Sequence, residues 1–514
     1  MPVDTKHPQY KQAEDDWRRC RDVLDGERAV KAAGILYLPA LEGQSARDYE
    51  SYKTRAMFFA ASSRTRQGLA GAIFRKEPEL TVPAAMEDLL DHLGNAGQSL
   101  EQLTHTTLDE VIGMGRVGLL VDAPDDVENG EPFLSIYYAE DIVSWNSQLI
   151  AGRQVLTRVV LREMTQTPDP KDPFAFKPVT KYRVLRLGQA SGTDGAEVEP
   201  TVASDALTYF VEVWAKVEAT SSEKESWFIE KTTVPRMRGG KALDEIPFIF
   251  IGPSSQEPEV EKSPTLDLAN VNLAHYRNSA DLEHGLHMSA LPTAWAAGFD
   301  LKGDELKVGS VIAWVTNEPA AHCGFLEFTG AGLGAIKEAM QEKKSEMAAL
   351  GARLLEEQKR EAEAAETLRL RQSGEQSVLA KIAGSCSEGI EHALELVAQW
   401  LALGGEIAFK LNRDFNLLGI EPAMVTQLML AVQSGMLSWN TWFYNIQRGE
   451  LIPDNVTAED EAALIAAGPP MGVLPTSQNQ KNEQPAQDEA QDEEPDEDAK
   501  DDAEPEDDGK EAAA

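Results

Sequence analysis

Residues 263–289, SPTLDLANVNLAHYRNSADLEHGLHMS, decide how the rest of the chain is read. Ser263 and Pro264 stand in the order of an N-cap and a first helical position: a serine hydroxyl accepts from an orphan first-turn N–H, and proline has no N–H to lose. A helix to about residue 289 is therefore predicted. Before it, from about 132 to 252, short runs rich in Val, Tyr, Phe and Thr alternate with Gly, Asp and Pro clusters. That is strand-and-turn texture, clearest at 133–138, 155–162, 182–187, 208–217 and 248–251. After it comes a second short β segment, about 294–328, most strand-like at 311–315. Then Leu333, Ile336, Met340, Met347, Leu350 and Leu354 form a heptad seam whose missing position is filled by Lys343. Leu379, Ile382, Cys386, Ile390, Leu394, Val397 and Leu401 continue in steps of three or four, so this half is mainly helical.

Toward the N-terminus, residues 7–26 read as a helix carrying Trp17 and Val23, and GILYLP at 34–39 is too short and proline-bounded to be helical. One helix is expected over 45–73, from Tyr49, Tyr52, Met57, Phe58, Leu69 and Ile73 at roughly helical spacing, with Arg55, Arg64 and Arg66 between them. A further helix over 99–114 leads through Gly115 and Gly118 into an apolar strand ending at Asp122. Near the C-terminus a strand at 407–415 and helices around 424–432 and 441–447 are expected. From about Gly468 aromatics vanish and Pro, Gln, Asp and Glu dominate, a composition that cannot bury enough apolar surface to offset chain ordering. This tail is expected to be disordered.

Five hundred and fourteen residues, 42% hydrophobic and 26% charged, are enough for more than one packed region. No apolar run reaches transmembrane length, and the polar, acidic start does not resemble a signal peptide, so export and membrane spanning are not expected. Cys20, Cys323 and Cys386 lie far apart and form no CxxC pair, which fits a reducing compartment. A net charge of −38 argues against nucleic-acid binding by phosphate neutralisation, though not against a surface past which DNA slides without sticking. Sixteen acidic residues against three lysines from Lys481 onward supply about a third of that charge.

Gly113-Met-Gly115-Arg-Val-Gly118 matches GxGxxG, but a dinucleotide site needs strand, glycines, then helix. Here the order is reversed, which reads as a helix-to-strand turn. His275, His284 and His287 share one predicted helix, yet the step from 284 to 287 is three, and Glu283 precedes rather than follows His284, so zincin spacing is not met. They read as packing or interface histidines. No GxSxG, P-loop or catalytic-cysteine context appears, and carboxylate pairs arise by chance in so acidic a chain.

Read in order, several segments resemble the portal proteins of tailed bacteriophages, in particular the uncharacterised-domain branch of that family. They include His7-Pro8, Trp17 and GILYLP; Tyr49, Tyr52, Arg55, Ala56 and Phe58; and residues 64–76, ending AIFRK. Gly115 to Asp122 with Pro124, then Tyr138, Glu140, Asp141, Ile142, Trp145 and Asn146, come next. The middle block Ser263-Pro264, Leu266, Asp267, Leu268, Asn272, His275-Tyr276, Ser279, Asp281 and Leu291-Pro292 follows. Later pieces are Leu350-Gly351-Ala352 with Leu354-Leu355, Ala365-Glu366-Thr367, Ser434-Gly435 with Ser438 and Thr441, and Arg448-Gly449 with Leu451 and Pro453.

The resemblance implies a mixed α+β fold of portal type with wing, stem, clip and crown regions, assembled as a homo-oligomer, usually a dodecameric ring, at one vertex of the virion. It implies no enzyme activity, no cofactor, no metal and no membrane. Double-stranded DNA would pass through the central channel without sequence specificity during packaging and ejection. Partners would be the terminase large subunit, major capsid and scaffold proteins and a head-completion or adaptor protein, with assembly in the host cytoplasm. By that analogy 1–140 is an N-terminal wing region, 141–257 a β-rich clip and adjoining region, and 258–300 a stem-type helix. Residues 301–410 hold wing strands and long channel or wing helices, 411–467 a helical crown, and 468–514 an acidic disordered tail.

Lys337, Lys343 and Lys344, following a glycine-rich stretch at 330–334, are candidates to face DNA in the channel; the alternative is a solvated helix face. The tail is either a scaffold-binding or DNA-repelling segment or a solubilising extension. The seam from Leu333 to Leu354 buries either within one subunit or against a neighbour. Competing with the portal reading are a prophage-derived interaction scaffold without a packaging role and a hydrolase hidden in the β-rich region, for which no residue set stands out.

Overall fold

The computed structural model describes residues 2–124, 130–169, 172–188, 207–216, 226–290, 293–299, 314–326, 332–353, 378–413, 415, 422–448, 451–452 and 456–467. The chain divides into two compact units, Met1–Asn416 and Leu417–Ala514. The fold is mixed α and β, as the sequence pattern predicts.

The first unit opens with helices α1 (Pro8–Asp25), α2 (Glu27–Ala33), α3 (Ala46–Arg55) and α4 (Ala61–Ile73), strand β1 (Glu79–Thr81), and helices α5 (Ala84–Leu90) and α6 (Leu100–Met114). Strands β2 (Val117–Asp122), β3 (Phe133–Tyr138), β4 (Ile142–Ile150), β5 (Arg153–Asp169), β6 (Asp172–Gly188), β7 (Thr208–Lys216), β8 (Trp227–Thr233) and β9 (Phe248–Ile251) follow. Then come α7 (Leu266–Ala290), β10 (Thr293–Ala297), β11 (His322–Leu326), α8 (Leu333–Arg353), α9 (Val378–Trp400) and β12 (Ala408–Lys410). The second unit holds three helices, α10 (Pro422–Gln433), α11 (Trp439–Arg448) and α12 (Ala458–Ala467).

The core forms where β2, buried along its whole length at the centre of the antiparallel sheet β3-β2-β9, meets α6 and α9. β2 can be apolar from Val117 to Val121 because both its faces are covered. On α9 the predicted stripe, Leu379, Ile382, Cys386, Ile390, Leu394 and Val397, is buried. Each fully buried Leu or Ile there contributes about 1.5–3 kcal/mol of transfer free energy, which outweighs the helix's weak intrinsic propensity. β4 to β8 form a second, five-stranded antiparallel meander, and β1 pairs with the distant β12.

Ion pairs stitch the layers. Arg21 of α1 grips Glu110 of α6 through two 2.7 Å bonds and Glu140 through two of 2.9 Å. Arg183 of β6 donates to Asp122 at 2.6 Å and Glu163 at 2.7 Å, and the Tyr137 hydroxyl donates to the same Glu163.

The expected helix over 45–73 is in fact two, α3 and α4, separated at residues 56–60 for a reason that lies in α7 (below). The strand expected at 407–415 shortens to Ala408–Lys410, and Trp314 and Val315 lie outside any strand. α2 and α5, seven residues each, have too few turns for periodicity to reveal them, and α12, as long as α11, is likewise not among the expected helices. The expectations placed on 291–292, 311–313, 330–331, 354–377 and the tail at 468–514 fall outside the described residues.

Candidate functional site

The glycine motif is a helix-to-strand turn. Gly115 caps α6 in the left-handed region (φ 75°), its N–H donating to Val111, and β2 follows at once. A Cβ on Gly115 would lie 2.9 Å from Ser263 Cα, and one on Gly118 would fall 2.2 Å from the Phe248 ring. These are packing requirements, and the glycines open onto a strand where a dinucleotide site has them open onto a helix.

That close approach brings the start of α7 onto the end of α6. The Ser263 and Thr265 hydroxyls both donate to the carbonyl of Gly113, at 2.7 and 2.9 Å, satisfying an acceptor that the end of α6 leaves orphaned. Ser263 Oγ also accepts from the Thr265 N–H, so the expected cap exists, although the helix proper begins at Leu266.

From this root α7 presents a ladder of polar side chains, Asn272 and Ser279 buried and Asp281 exposed, to α3 and the break that follows it. Asn272, fully buried, accepts from the N–H and hydroxyl of Ser62 (3.2 and 3.0 Å) and donates to the Phe59 carbonyl (2.7 Å). Two turns on, Ser279 accepts from the Met57 N–H at 3.0 Å, and Asp281 accepts from the Tyr52 hydroxyl at 2.6 Å. The bonds of Asn272 and Ser279 capture backbone groups that a continuous helix would have used itself. That is why one periodic stretch becomes two helices, while the side-chain bond between Tyr52 and Asp281 ties α3 to α7 beside the break.

The far half of α7 pairs with α8. A Cβ on Gly285 would lie 2.5 Å from Leu333 Cδ2, and Gly351, near the other end of α8, approaches Thr65 of α4. The helices therefore run antiparallel, with β10 and β11 paired at the far end between them. The heptad seam faces α7: Leu333, Ile336, Met340, Lys343 and Leu350 are half-buried and Met347 is buried. Within the chain the seam from Leu333 to Leu350 thus packs on α7, and Leu354 lies outside the described residues.

One of the three candidate lysines lies in that seam and two flank it. Lys343 occupies a half-buried seam position, and Lys344 places its ammonium 5.1 Å from the centre of the Phe59 ring. Lys337, two turns before Lys344 on the same flank, is exposed. Helical spacing puts Ala335, Glu338, Glu342, Ser345 and Ala349 on the face turned away from α7; all five are exposed, and no lysine joins them.

His275 lies beneath Lys343 and Lys344. Burial, then the charges of Lys344 and Lys343, hold its pKa below the ordinary 6.5, and neither ring nitrogen has a partner among the described residues. His284 meets the Tyr52 ring edge-on at 5.5 Å. No group of three or more potential metal ligands occurs among the described residues. No described helix is long and apolar enough to cross a membrane.

A second unusual group is Arg116, just past the Gly115 turn. Its guanidinium lies between the Trp145 and Phe250 rings (4.0 and 4.5 Å to the centroids), while His7 stacks on Trp145 at 4.0 Å. Only Nη1 finds an acceptor, the Pro258 carbonyl at 2.8 Å; Nε and Nη2 have none among the described residues. Burial pushes its pKa down to about 9.

Residues 264–401, spanning α7 to α9, match the family described as a domain of unknown function, DUF4055. No curated protein matches the chain. Among solved structures, the chain is similar to a component of the virion of a native gene transfer agent particle, at 14% identity and a TM-score of 0.33, covering 82% of this chain and 99% of that one. A component of the neck of the native particle, computed with C12 symmetry, gives 15% identity and a TM-score of 0.32 over 79% of this chain and 95% of the other.

Proposed function

We propose that this chain is a portal-type structural subunit, not an enzyme. Copies close into a ring, dodecameric by resemblance, at one capsid vertex, and double-stranded DNA passes through the ring in both directions. The ring is also the platform on which the terminase large subunit, capsid and scaffold proteins and a head-completion adaptor dock in turn.

The observation that supports this most is the α7–α8 hairpin. α7 is anchored along its first half, while α8 leans on α7 and reaches α4 near Gly351 and the Phe59 ring through Lys344. Its outer face of Ala335, Glu338, Glu342, Ser345 and Ala349 has neither the apolar residues of a core nor the lysines that would trap a phosphate backbone. A wall that lets a polyanion slide needs such a face, because each fixed cation on it adds an electrostatic well. In this reading Lys337 meets phosphate transiently, and Lys343 and Lys344, drawn toward α7 and Phe59, contribute less.

Native mass spectrometry and negative-stain images of nuclease-treated protein test the ring. Closed rings with a channel wide enough for duplex DNA are expected. A monomer or dimer at every concentration and salt would sink the portal reading in favour of the interaction scaffold. If rings form, charge reversal at Lys337, Lys343 and Lys344 together should lower packaged DNA; unchanged packaging would remove the lysines from the channel.

A further inference from the structure

Residues 2–7 lie as a strap on the five-stranded sheet, and one side chain pins them there. Val3 packs on Val143, Val160, Tyr182 and Val184 of β4, β5 and β6, an apolar cluster separate from the main core. Four residues on, the backbone N–H of His7 donates to the Val143 carbonyl at 2.9 Å, and its imidazole stacks on Trp145 of β4 at 4.0 Å. His7 is also the N-cap of α1, where its Nδ1 accepts from the Gln9 N–H at 3.3 Å. Strap, sheet and first helix therefore meet at one imidazole.

That cap makes the junction sensitive to protons. A ring nitrogen that accepts a hydrogen bond carries no proton, so neutral His7 holds its hydrogen on Nε2. A second proton has only Nδ1 to occupy, and there it takes the place of the Gln9 N–H. Serine, threonine and asparagine, the usual caps, have no such conflict. The surrounding charges also oppose protonation. Arg116, from the turn after α6, holds its guanidinium 4.0 Å from the centre of the same Trp145 ring, and β4 itself has no titratable residue. On the strap and α1, Lys6 is paired with Glu14, and Lys11 follows His7 by one turn. Glu259, exposed in the segment before α7, pulls the other way. Burial first, then Arg116, leave the His7 pKa below its ordinary 6.5 despite Glu259.

We propose that His7 is a pH-sensitive pin: when it takes up a second proton, residues 2–6 lift from the sheet and uncover the apolar cluster beneath Val3. With the strap open, His7 stands in water and binds the proton more tightly than when closed. Closure is therefore favoured above about pH 6.5 and lost as pH falls below it. The pin acts within each chain and does not depend on ring formation.

Hydrogen–deuterium exchange of the full chain, wild type and His7→Asn, at about pH 7.5 and about pH 5 tests it, with rates corrected for the intrinsic effect of pH. Asparagine caps a helix without titrating in this range. In wild type the amides of His7 and Gln9 should exchange roughly fivefold faster at the lower pH, the loosening that loss of one N-cap brings, with α9 unchanged. His7→Asn should be protected equally at both. A wild-type strap indifferent to pH, an asparagine strap that loosens as much as wild type, or a rise shared equally by α9 overturns the pin. If the asparagine strap is loose at both pH values, Arg116→Met decides: removing that charge should raise the pH at which the strap loosens, and an unmoved midpoint overturns the proposal.

Discussion

Replacing Asn272 by alanine tests whether α7 creates the break between α3 and α4. The change removes two acceptances from Ser62 and one donation to the Phe59 carbonyl at 2.7 Å, at a site with no solvent exposure on either Asn272 or Ser62. The serine hydroxyl can rotate to another acceptor, but the Ser62 N–H and the Phe59 carbonyl stay buried without a partner. At about 1–3 kcal/mol for each stranded group, a loss of about 3 kcal/mol is expected. It should be local, because the surrounding apolar contacts are untouched. Hydrogen–deuterium exchange read peptide by peptide should show amides of 57–66 exchanging roughly 100-fold faster, with α6 and α9 unchanged. Exchange that rises equally across α6, or does not rise at 57–66, would refute the argument and return the break to local sequence preference.

Gly115→Ala combines a backbone angle that L-residues avoid with a Cβ 2.9 Å from Ser263 Cα, so a loss of about 2–4 kcal/mol in urea unfolding is expected; a loss under about 0.5 kcal/mol would contradict the close approach. His275 is held below 6.5 by burial and by Lys344 and Lys343, so the unfolded chain takes up its proton first and stability falls as pH drops below about 6.5. Wild type should therefore lose more melting temperature than His275→Leu between about pH 7.5 and about pH 5.5, and parallel curves would argue against the assignment. Arg116→Met removes a buried cation with two unmet N–H groups but also its stacking on Trp145 and Phe250, and because these effects oppose, the variant should be no less stable at neutral pH. A loss above about 2 kcal/mol would show that the aromatic sandwich dominates.

What periodicity could reveal was local. The buried stripe of α9, the short strands β3 and β9 and the seam of α8 each declare themselves within one element, because a single covered face sets their spacing. The break after α3 is different in kind: its cause lies more than 200 residues away, at Asn272 and Ser279, and no window of sequence contains both ends of those bonds. The lysines were legible as a group but not as individuals. Lys343 fills a heptad position and is half-buried there, while Lys337 and Lys344 keep the exposure that composition suggested for all three, Lys344 beside an aromatic ring from another segment. The outer parts of β5 and β6 went unread because the expected strands at 155–162 and 182–187 stop where the apolar residues of the sheet stop, and the stretch beyond alternates too weakly to extend them.

The pairing of β1 with β12, which joins Glu79–Thr81 to Ala408–Lys410, has a consequence in time. Together with α9, which packs on β2 and β9, it keeps the core of the first unit incomplete until some 400 residues have been made. At cellular synthesis rates, tens of seconds separate the emergence of β2 from that of α9. During that interval β2 and β9 lack the helix that covers them, which exposes the nascent chain to aggregation and calls for chaperone protection.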